Sequence, residues 1–139
     1  MSFADLGLNP ELISSIQRAE YTQPYPIQVE AIPLLLKGKD VLGLAPTGSG
    51  KTAAYILPIL QQLLAKEAPK DRATQVLVMV PTRELAVQVG EVAENFSRFL
   101  PRRIKSLAVF GGVSINPQMI KLGGTEILIA TPGRLLDLI

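Results

Sequence analysis

Four short apolar runs alternate with longer stretches whose apolar residues recur at helical spacing, and this alternation constrains the fold most. The runs cover Asp40 to Ala45, Gln75 to Val80, Ser106 to Phe110 and Glu126 to Ala130, and each closes on Pro, Gly or Thr. Short apolar runs with such ends are typical of buried strands. Strands that alternate with helices form parallel βαβ units, whose ligands bind at the carboxyl ends of the strands. The pattern predicts an α/β protein with a parallel sheet and helices on both faces.

The stretches outside these runs predict amphipathic helices. Two of them lie between strands, at about Ala53 to Leu64 and Leu85 to Phe96. Two more precede the first strand, from about Asn9 to Ala19 and from about Pro26 to Leu36. We expect these first two helices to form an N-terminal cap over residues 1–37 rather than a separate domain.

Prolines and polar segments predict where the helices stop. Pro33 and Pro58 would each remove a helix hydrogen bond and clash with the preceding turn, so we expect a kink or a boundary at both. Lys66 to Thr74 is polar and charged, which predicts a surface loop. Thr131-Pro132 predicts a helix start, but no stop signal follows it, so the chain looks cut inside an element.

The composition excludes several kinds of site. The chain has 139 residues, 47% of them hydrophobic, which is enough for one domain with a core. It has no Cys and no His, so disulfides, Cys/His zinc sites and thiol or imidazole catalysis are excluded. The net charge of +2 is weakly basic, so any site for a polyanion must be local. No leader-like or membrane-spanning segment is evident, which predicts a soluble cytoplasmic protein without a membrane partner.

The sharpest motif directly follows the first predicted strand and opens a predicted helix. It reads Ala-Pro-Thr-Gly-Ser-Gly-Lys-Thr and fits the Walker A pattern, with Ala in place of the first Gly. In such a loop the backbone N–H groups and the helix N-terminus favour a phosphate, the Lys adds a point charge, and the Thr offers a hydroxyl to Mg²⁺. The alternative is a Gly-rich turn with a surface Lys. We predict nucleotide triphosphate binding by Ala45, Pro46, Thr47, Gly48, Ser49, Gly50, Lys51 and Thr52, with Lys51 and Thr52 as catalytic residues and Thr52 as the Mg²⁺ ligand.

No predicted strand ends in an acidic residue. Hydrolysis by this class of enzyme uses a carboxylate at a neighbouring strand end to hold Mg²⁺ and help position water. The nearest acid is Glu84, whose ordinary role would be to complement the dipole at a helix start. The residues alone therefore favour nucleotide binding and leave hydrolysis open.

Five segments of the chain carry recognisable motifs. They are Tyr21 to Gln28, Ala45 to Thr52, Pro81 to Ala86, Gly111-Gly112 and Thr131 to Arg134. In this order they resemble motifs of the first RecA-like domain of a DEAD-box ATP-dependent RNA helicase, and the first segment looks like the family's Q motif. The resemblance covers essentially the whole chain. It implies a RecA-like P-loop NTPase fold that is incomplete at the C-terminus, with residues 1–139 as part of the first domain, and ATP or ADP and Mg²⁺ as cofactors.

The Q-motif resemblance implies a set of adenine-binding residues. Gln28 matches the glutamine that reads adenine with one donor and one acceptor, Phe3 matches the aromatic residue that stacks on the base, and Tyr21 belongs to the same set. Taken singly, Gln28 would be a helix-surface residue and Phe3 a core or staple residue. The sequence departs from the family at Glu20, where Gly is frequent, and at Tyr25, where Thr or Ser is common.

The other three motifs resemble the family's RNA-contacting set, which holds a single strand by its sugar-phosphate backbone. Hydroxyls, free N–H groups and arginines at strand-to-helix junctions suit phosphates, and glycines permit close approach. Each feature also has an ordinary interpretation, as a Thr-Pro N-cap, a Gly-Gly turn or an Arg on a solvated helix face. The predicted RNA-contacting residues are Pro81, Thr82, Arg83, Gly111, Gly112, Thr131, Pro132, Gly133 and Arg134.

The resemblance further implies partners and limits. In the family, two RecA-like domains close on ATP and on single-stranded or short duplex RNA. The family's Asp-Glu-Ala-Asp motif and arginine fingers do not occur here, so we expect this chain alone to bind adenine nucleotide without hydrolysing it. In this fold the P-loop strand pairs with later strands, which predicts exposed edges and self-association. The alternatives are another P-loop NTPase and a non-catalytic nucleotide- or RNA-binding fragment.

Overall fold

The computed structural model describes residues 1–68, 70 and 73–139. The chain forms two compact units. The N-terminal unit comprises Met1–Glu67 and Asn95–Arg103, and the sheet unit comprises Ala68–Glu94 and Ile104–Ile139. No helix in the described ranges is long and apolar enough to cross a membrane.

The N-terminal unit is helical. A 3₁₀ turn at Phe3–Leu6 precedes α1 (Pro10–Arg18), α2 (Pro26–Leu36) and α3 (Lys51–Leu64). The predicted bounds of α1 and α2 are confirmed, because local signals determine both. Asn9 caps α1 by accepting a hydrogen bond from the Leu12 N–H, and both helices begin with proline. The largest fully buried side chains of this unit are Leu12, Ile16, Gln28, Ile32, Ile56, Leu57, Leu60 and Phe96.

Both internal prolines lie within helices, so a boundary at Pro33 or Pro58 was wrong, and a kink at these positions stays a prediction. Pro58 is buried, and its neighbours Leu57 and Leu60 are fully buried. Burying an aliphatic side chain contributes about 1.5–3 kcal/mol. Several such side chains together offset the roughly 3 kcal/mol that an interior proline costs a helix.

Helix α1 ends in a Schellman motif built on Glu20. The Tyr21 N–H donates to the Ile16 carbonyl at 3.1 Å, and the Glu20 N–H donates to the Gln17 carbonyl at 3.0 Å. The motif requires a left-handed residue, and Glu20 has a φ of 66°. This conformation is strained for a residue with a side chain and ordinary for glycine. The glycine that is frequent here in the family therefore has a conformational reason.

The sheet unit contains three parallel strands, β1 (Val76–Met79), β2 (Ser106–Val109) and β3 (Ile127–Ala130). Their order is β1-β3-β2, and every residue of β3 is buried. Met79 and Val109 both pair with Ala130, so the carboxyl ends of all three strands lie at one edge. The parallel sheet and the α/β class are confirmed.

Three helices follow the strands: α4 (Arg83–Ser97), α5 (Ile115–Lys121) and α6 (Pro132–Leu138). The last three residues of α4 belong to the N-terminal unit. Thr131 is the N-cap of α6, as predicted, although its side chain makes no capping hydrogen bond. Helix α5 was not predicted, because it is short and its Met119 and Ile120 face solvent, which blurs the helical pattern.

The strand predicted at Asp40 to Ala45 was wrong. The sheet formed by the described residues contains three strands, and residues 40–45 lie in neither a strand nor a helix. Leu42 and Leu44 are 87% and 85% exposed. An apolar run becomes a strand only when a neighbouring strand pairs its N–H and C=O groups, and sequence pattern alone does not supply that neighbour.

The predicted surface loop at Lys66 to Thr74 is exposed and irregular at residues 66–68 and 73–74. Pro69, Asp71 and Arg72 lie outside the described residues. The part of the prediction that the structure describes is confirmed.

Candidate nucleotide and RNA sites

The Walker A segment forms a turn that leads into α3. The Ser49 N–H donates to the Pro46 carbonyl at 3.2 Å and closes the turn. Gly48 and Gly50 have left-handed φ values of 81° and 84°. Left-handed residues between ordinary ones direct successive N–H groups into one concavity, which suits an anion. Lys51 is the first residue of α3, so the positive end of the helix dipole lies at this loop.

Two side chains of the loop are poised for a ligand. Lys51 Nζ donates to the Ala45 carbonyl at 2.6 Å, so this exposed side chain folds back over the loop. The ammonium can exchange that carbonyl for a phosphate oxygen without being buried. Ser49 Oγ is buried and has no hydrogen-bond partner among the described residues. An unsatisfied buried hydroxyl costs about 1–3 kcal/mol, so a ligand that bound it would recover that energy.

Gln28 connects α2 to the phosphate loop. Its Oε1 accepts a hydrogen bond from the Tyr25 N–H at 2.9 Å, and its Nε2 donates to the Gly50 carbonyl at 3.1 Å. A Cβ at Gly50 would lie 2.4 Å from Gln28 Nε2, so only glycine permits this approach. Gln28 is fully buried, and its interpretation as a helix-surface residue was wrong. Its recognition of adenine stays a prediction.

Phe3 and Tyr21 line a cavity of about 130 Å³ beside α1, with Ile16 among the other lining residues. Phe3 is 4% exposed, which confirms its interpretation as a core residue. The Tyr21 ring packs against Phe96, with ring centroids 4.9 Å apart and planes tilted by 47°. Stacking of Phe3 on a base stays a prediction.

Sequence reasoning missed Tyr55, which lies one helical turn after Thr52. Burial raises the pKa of Tyr55, and a hydrogen bond with the Thr52 side chain acts in the opposite direction. Tyr55 and Lys51 line a mainly apolar cavity of about 240 Å³ together with Ile27 and Val41. The i, i+3 spacing of Thr52 and Tyr55 was the available signal, since such residues are neighbours on a helix.

The three motifs predicted to contact RNA meet at the carboxyl edge of the sheet. Hydrogen bonding between the strands continues past their carboxyl ends. The Val80 N–H donates to the Ala130 carbonyl at 3.0 Å, and the Thr131 N–H donates to the Val109 carbonyl at 3.2 Å. Thr82 Oγ accepts a hydrogen bond from the Leu85 N–H at 3.2 Å and caps α4. The residues that this edge brings together are Pro81, Thr82, Arg83, Gly111, Gly112, Thr131, Pro132, Gly133 and Arg134.

Arg83 lies beside the Gly-Gly turn. Its guanidinium carbon is 5.0 Å from the centroid of the Phe110 ring, which is a cation–π contact. Its Nη1 lies 3.8 Å from the position of a Cβ on Gly112. Arg83 is exposed, so its charge is available to a polyanion at this edge.

Arg134 is buried, so its interpretation as an Arg on a solvated helix face was wrong. Its Nη1 donates to Gln118 Oε1 and its Nη2 to the Val113 carbonyl, both at 2.9 Å. Its Nε lies 3.3 Å from Asp137 Oδ2, within ion-pair distance but not aligned for a hydrogen bond. The hydrogen bonds at Nη1 and Nη2 and the nearby carboxylate offset the cost of burying the guanidinium. Contact between Arg134 and RNA stays a prediction.

Acidic residues do not form a metal site here. Within residues 1–68, 70 and 73–139, no three His, Cys, Asp or Glu side chains group in a way that could hold a metal ion. Glu84 lies in the first turn of α4 and is exposed, where it can complement the helix dipole.

The DEAD/DEAH box helicase family model matches residues 25–139. The chain belongs to the DEAD/DEAH box helicase family. Membership in this family confirms the resemblance carried by the five motifs and decides against an unrelated P-loop NTPase.

Known helicases match nearly the whole chain. The chain is 49% identical over 137 residues to the ATP-dependent RNA helicase DeaD of Escherichia coli K12, covering 98% of this chain and 21% of that protein. It is 46% identical to the probable ATP-dependent RNA helicase ddx27 of Dictyostelium discoideum, covering 98% of this chain and 17% of that protein. The chain thus spans about a fifth of the length of these curated relatives.

A solved structure agrees with the fold. The crystal structure of the RNA helicase Prp28 from Chaetomium thermophilum bound to ADP matches with a TM-score of 0.86 and 39% sequence identity. The match covers 99% of this chain and 34% of that one. The RecA-like fold expected for a DEAD-box helicase is therefore confirmed.

Proposed function

We propose that this chain is the ATP-binding portion of an ATP-dependent DEAD-box RNA helicase that remodels or unwinds short RNA duplexes. One observation carries the proposal. The loop from Ala45 to Thr52 combines two left-handed glycines, a helix N-terminus and the Lys51 ammonium at one place. This combination suits the β- and γ-phosphates of a nucleotide. The names of the helicase relatives and the ADP in the Prp28 structure support it.

The nucleotide is held from the phosphate side by the loop and from the base side by Gln28, Phe3 and Tyr21. Adenine takes both a donor and an acceptor from an amide, which Gln28 provides. The amide now makes one hydrogen bond to Gly50 and one to Tyr25, which leaves one donor and one acceptor site for adenine. Because Gln28 is fully buried, adenine binding must first open access to this amide. Phe3 is buried, so base stacking also requires movement of the 3₁₀ turn.

Mg²⁺ fits this loop as a companion of the phosphates rather than as a protein-caged ion. The Thr52 hydroxyl would hold it together with phosphate oxygens and waters, since Mg²⁺ retains several waters in such sites. When bound, the ion neutralises developing charge on the phosphates. The Thr52 side chain also lowers the pKa of Tyr55, against the larger effect of burial, so the two side chains interact in this structure.

RNA binds at the carboxyl edge of the sheet through its sugar-phosphate backbone. Arg83 supplies exposed charge there, and Gly111 and Gly112 expose backbone without side chains. Phosphate contacts position a strand without reading its bases, so little sequence preference follows. The second RecA-like domain of the whole protein completes the site, and we propose a cytoplasmic location.

Hydrolysis by this class of enzyme uses a carboxylate at a strand end beside the phosphates. The strands β1, β2 and β3 end in Met79, Val109 and Ala130, so we infer that nucleotide binds here without turnover. A steady ATPase rate from the pure chain, abolished in Lys51→Ala, would contradict this statement.

We also propose that two copies associate through residues 40–45. Leu42 and Leu44 are exposed, and this run forms no strand within the described part of the chain. Unpaired apolar backbone favours pairing with another chain. A monomeric mass in sedimentation at micromolar concentration would contradict self-association.

The test of nucleotide binding is a titration with fluorescent ADP and GDP. We expect the parent chain to prefer ADP. Lys51→Ala should weaken ADP binding by about 30- to 150-fold, because a charge-assisted hydrogen bond contributes about 2–3 kcal/mol. Lys39→Ala, an exposed lysine outside the loop, is the matched control and should bind like the parent.

The Gln28→Glu variant tests adenine recognition. It keeps the acceptor for the Tyr25 N–H and loses the donor, so we expect it to lose the preference for ADP over GDP. Equal binding of both nucleotides by the parent would contradict the adenine assignment. Binding of neither nucleotide would contradict the proposed nucleotide site itself.

A further inference from the structure

A buried amide and a buried guanidinium hold the turn that carries Gly111 and Gly112. Gln118 Nε2 donates to the Phe110 carbonyl at 3.2 Å, and Arg134 Nη2 donates to the Val113 carbonyl at 2.9 Å. The two side chains are joined, because Arg134 Nη1 donates to Gln118 Oε1 at 2.9 Å. The carbonyl before the glycines and the carbonyl after them are therefore both tied to one hydrogen-bonded pair.

The chemistry of the partners determines the orientation of the Gln118 amide. A guanidinium has only donors, so it must face the amide oxygen, and a backbone carbonyl only accepts, so it must face the amide nitrogen. Gln118 and Arg134 are each 8% exposed. A buried hydrogen bond to a charged group is stronger than one between neutral groups, so the Arg134–Gln118 bond fixes the amide firmly.

The Gly111-Gly112 turn has the largest conformational entropy to lose at this edge of the sheet. Glycine loses more backbone freedom on ordering than any other residue, so ordering two consecutive glycines is entropically unfavourable. Both glycines are exposed, and Gly112 is left-handed with a φ of 82°. The buried pair offsets this cost in the folded protein, so a ligand does not have to.

The same pair also affects Arg83. Phe110 has its carbonyl bound by Gln118, and its ring lies under the Arg83 guanidinium. Holding the backbone of Phe110 limits where that ring can lie. The buried Gln118 amide therefore helps to orient both the Gly-Gly turn and the exposed Arg83 beside it.

We propose that Gln118 is a positioning residue of the RNA-contacting edge. With Arg134 it preorganises the Gly111-Gly112 turn and, through Phe110, the Arg83 guanidinium for the phosphate backbone. This inference rests on the proposed binding of RNA. Gln118 acts through these groups and does not itself touch RNA.

The experiment compares variants of the 139-residue chain for binding to a fluorescein-labelled single-stranded oligouridine at several salt concentrations. Gln118→Leu removes both hydrogen bonds. Gln118→Glu keeps an acceptor for Arg134 and loses the donor to Phe110. This second variant keeps the test valid if Gln118→Leu does not fold. Gln88→Leu, an exposed glutamine on α4, is the matched control.

We expect Gln118→Leu to weaken RNA binding about tenfold and to flatten the salt dependence by about one phosphate contact. Gln118→Glu should lie between Gln118→Leu and the parent, and Gln88→Leu should match the parent. In ¹⁵N relaxation, the amides of Gly111 and Gly112 should become more mobile in both Gln118 variants. A purely structural role would lower the melting temperature but move neither the salt slope nor these two amides.

The outcomes separate the two proposals. If the parent binds oligouridine and both Gln118 variants bind it with the same affinity and salt slope, the positioning role is overturned while the RNA site stands. If the parent binds no RNA at any salt concentration, the proposed RNA binding fails, and the inference fails with it.

Discussion

The two glycine-containing loops of this chain are held in different ways. The phosphate loop, Ala45–Thr52, depends on left-handed Gly48 and Gly50 and on one buried contact from Gln28. The Gly111-Gly112 turn is tied at both ends by the buried pair of Gln118 and Arg134. In the first loop the Ser49 hydroxyl has no partner within the described part of the chain, and Lys51 folds onto the loop's own backbone. In the second, the flanking carbonyls of Phe110 and Val113 are both hydrogen-bonded.

The segments that precede the two loops also differ in how well hydrogen bonds hold them. The Gly-Gly turn follows β2, which is paired with β3 along its whole length. The phosphate loop follows residues 40–45, which form no strand in the described part of the chain. The comparison indicates that the Gly-Gly turn is organised by the protein itself, and that the phosphate loop has hydrogen-bonding groups left to engage.

The largest effect that we expect separates the two glycines of the phosphate loop. Gly50→Ala should destabilise the chain by about 3 kcal/mol, because left-handed strain adds to the loss of the Gln28 hydrogen bond. Gly48→Ala has open space around its Cβ and should cost only about 1 kcal/mol, from the conformation alone. Urea denaturation measures both values. Equal costs would show that the Gln28 contact contributes nothing to the loop.

The next effect tests the support of the Gly-Gly turn. Arg134→Leu leaves Gln118 Oε1 and the Val113 carbonyl without their donor, so it should destabilise the chain by about 2 kcal/mol. Arg98→Leu, at an exposed arginine, should stay within about 0.5 kcal/mol of the parent in the same urea titration. If both variants cost the same, the buried network does not stabilise the turn and the contrast between the loops fails.

A smaller effect, at Glu20, measures the energetic cost of a left-handed residue that lies outside both loops. Glu20→Gly should stabilise the chain by about 0.5–1 kcal/mol, because the relief of strain at a φ of 66° exceeds the added freedom of the unfolded chain. Thermal unfolding should show a higher melting temperature. Glu11→Gly, in the first turn of α1, should be destabilising and serves as the control. A neutral or negative result at Glu20 would mean that the strain values used for Gly48 and Gly50 are too large.

The smallest effect that we expect concerns Tyr55, in the helix that follows the phosphate loop, and the stability of the chain at high pH. Burial raises the pKa of Tyr55 above 10.0, so in the folded chain its phenol holds its proton more tightly than in the unfolded chain. Stability from this group is complete below pH 10.0 and is lost as the pH rises through the raised pKa. Tyr55→Phe should therefore flatten the fall of the melting temperature between pH 9 and pH 11. An unchanged slope would exclude Tyr55 as a contributor.

Much of the secondary structure could be predicted from local signals. Helix α2 begins at Pro26 and ends at Leu36, as predicted, and each of the three formed strands lies within its predicted apolar run. Caps, prolines and periodicity act within a few residues, so they can be read along the chain. The phosphate loop was equally readable, because its glycines and Lys51 are consecutive in sequence.

Contacts between distant residues could not be predicted in this way. Gln28 and Gly50 are 22 residues apart, and Arg134 and Gln118 are 16 apart. A Gln or Arg in a helix is ordinarily exposed, and only a partner brought close by folding makes its burial favourable. The same reasoning applies to residues 40–45, whose apolar pattern suits a strand that no described neighbour pairs.

By itself, the sequence determined helices α1 to α4, the start of α6, the strands β1 to β3, the phosphate loop and the family, because the signals for each lie close together along the chain. Only the tertiary structure decided that Gln28 and Arg134 are buried and that residues 40–45 stay outside the sheet. It also decided that the Gly111-Gly112 turn is held by Gln118. The reason is physical: burial of a polar group and pairing of a strand depend on which partners folding brings within hydrogen-bond distance.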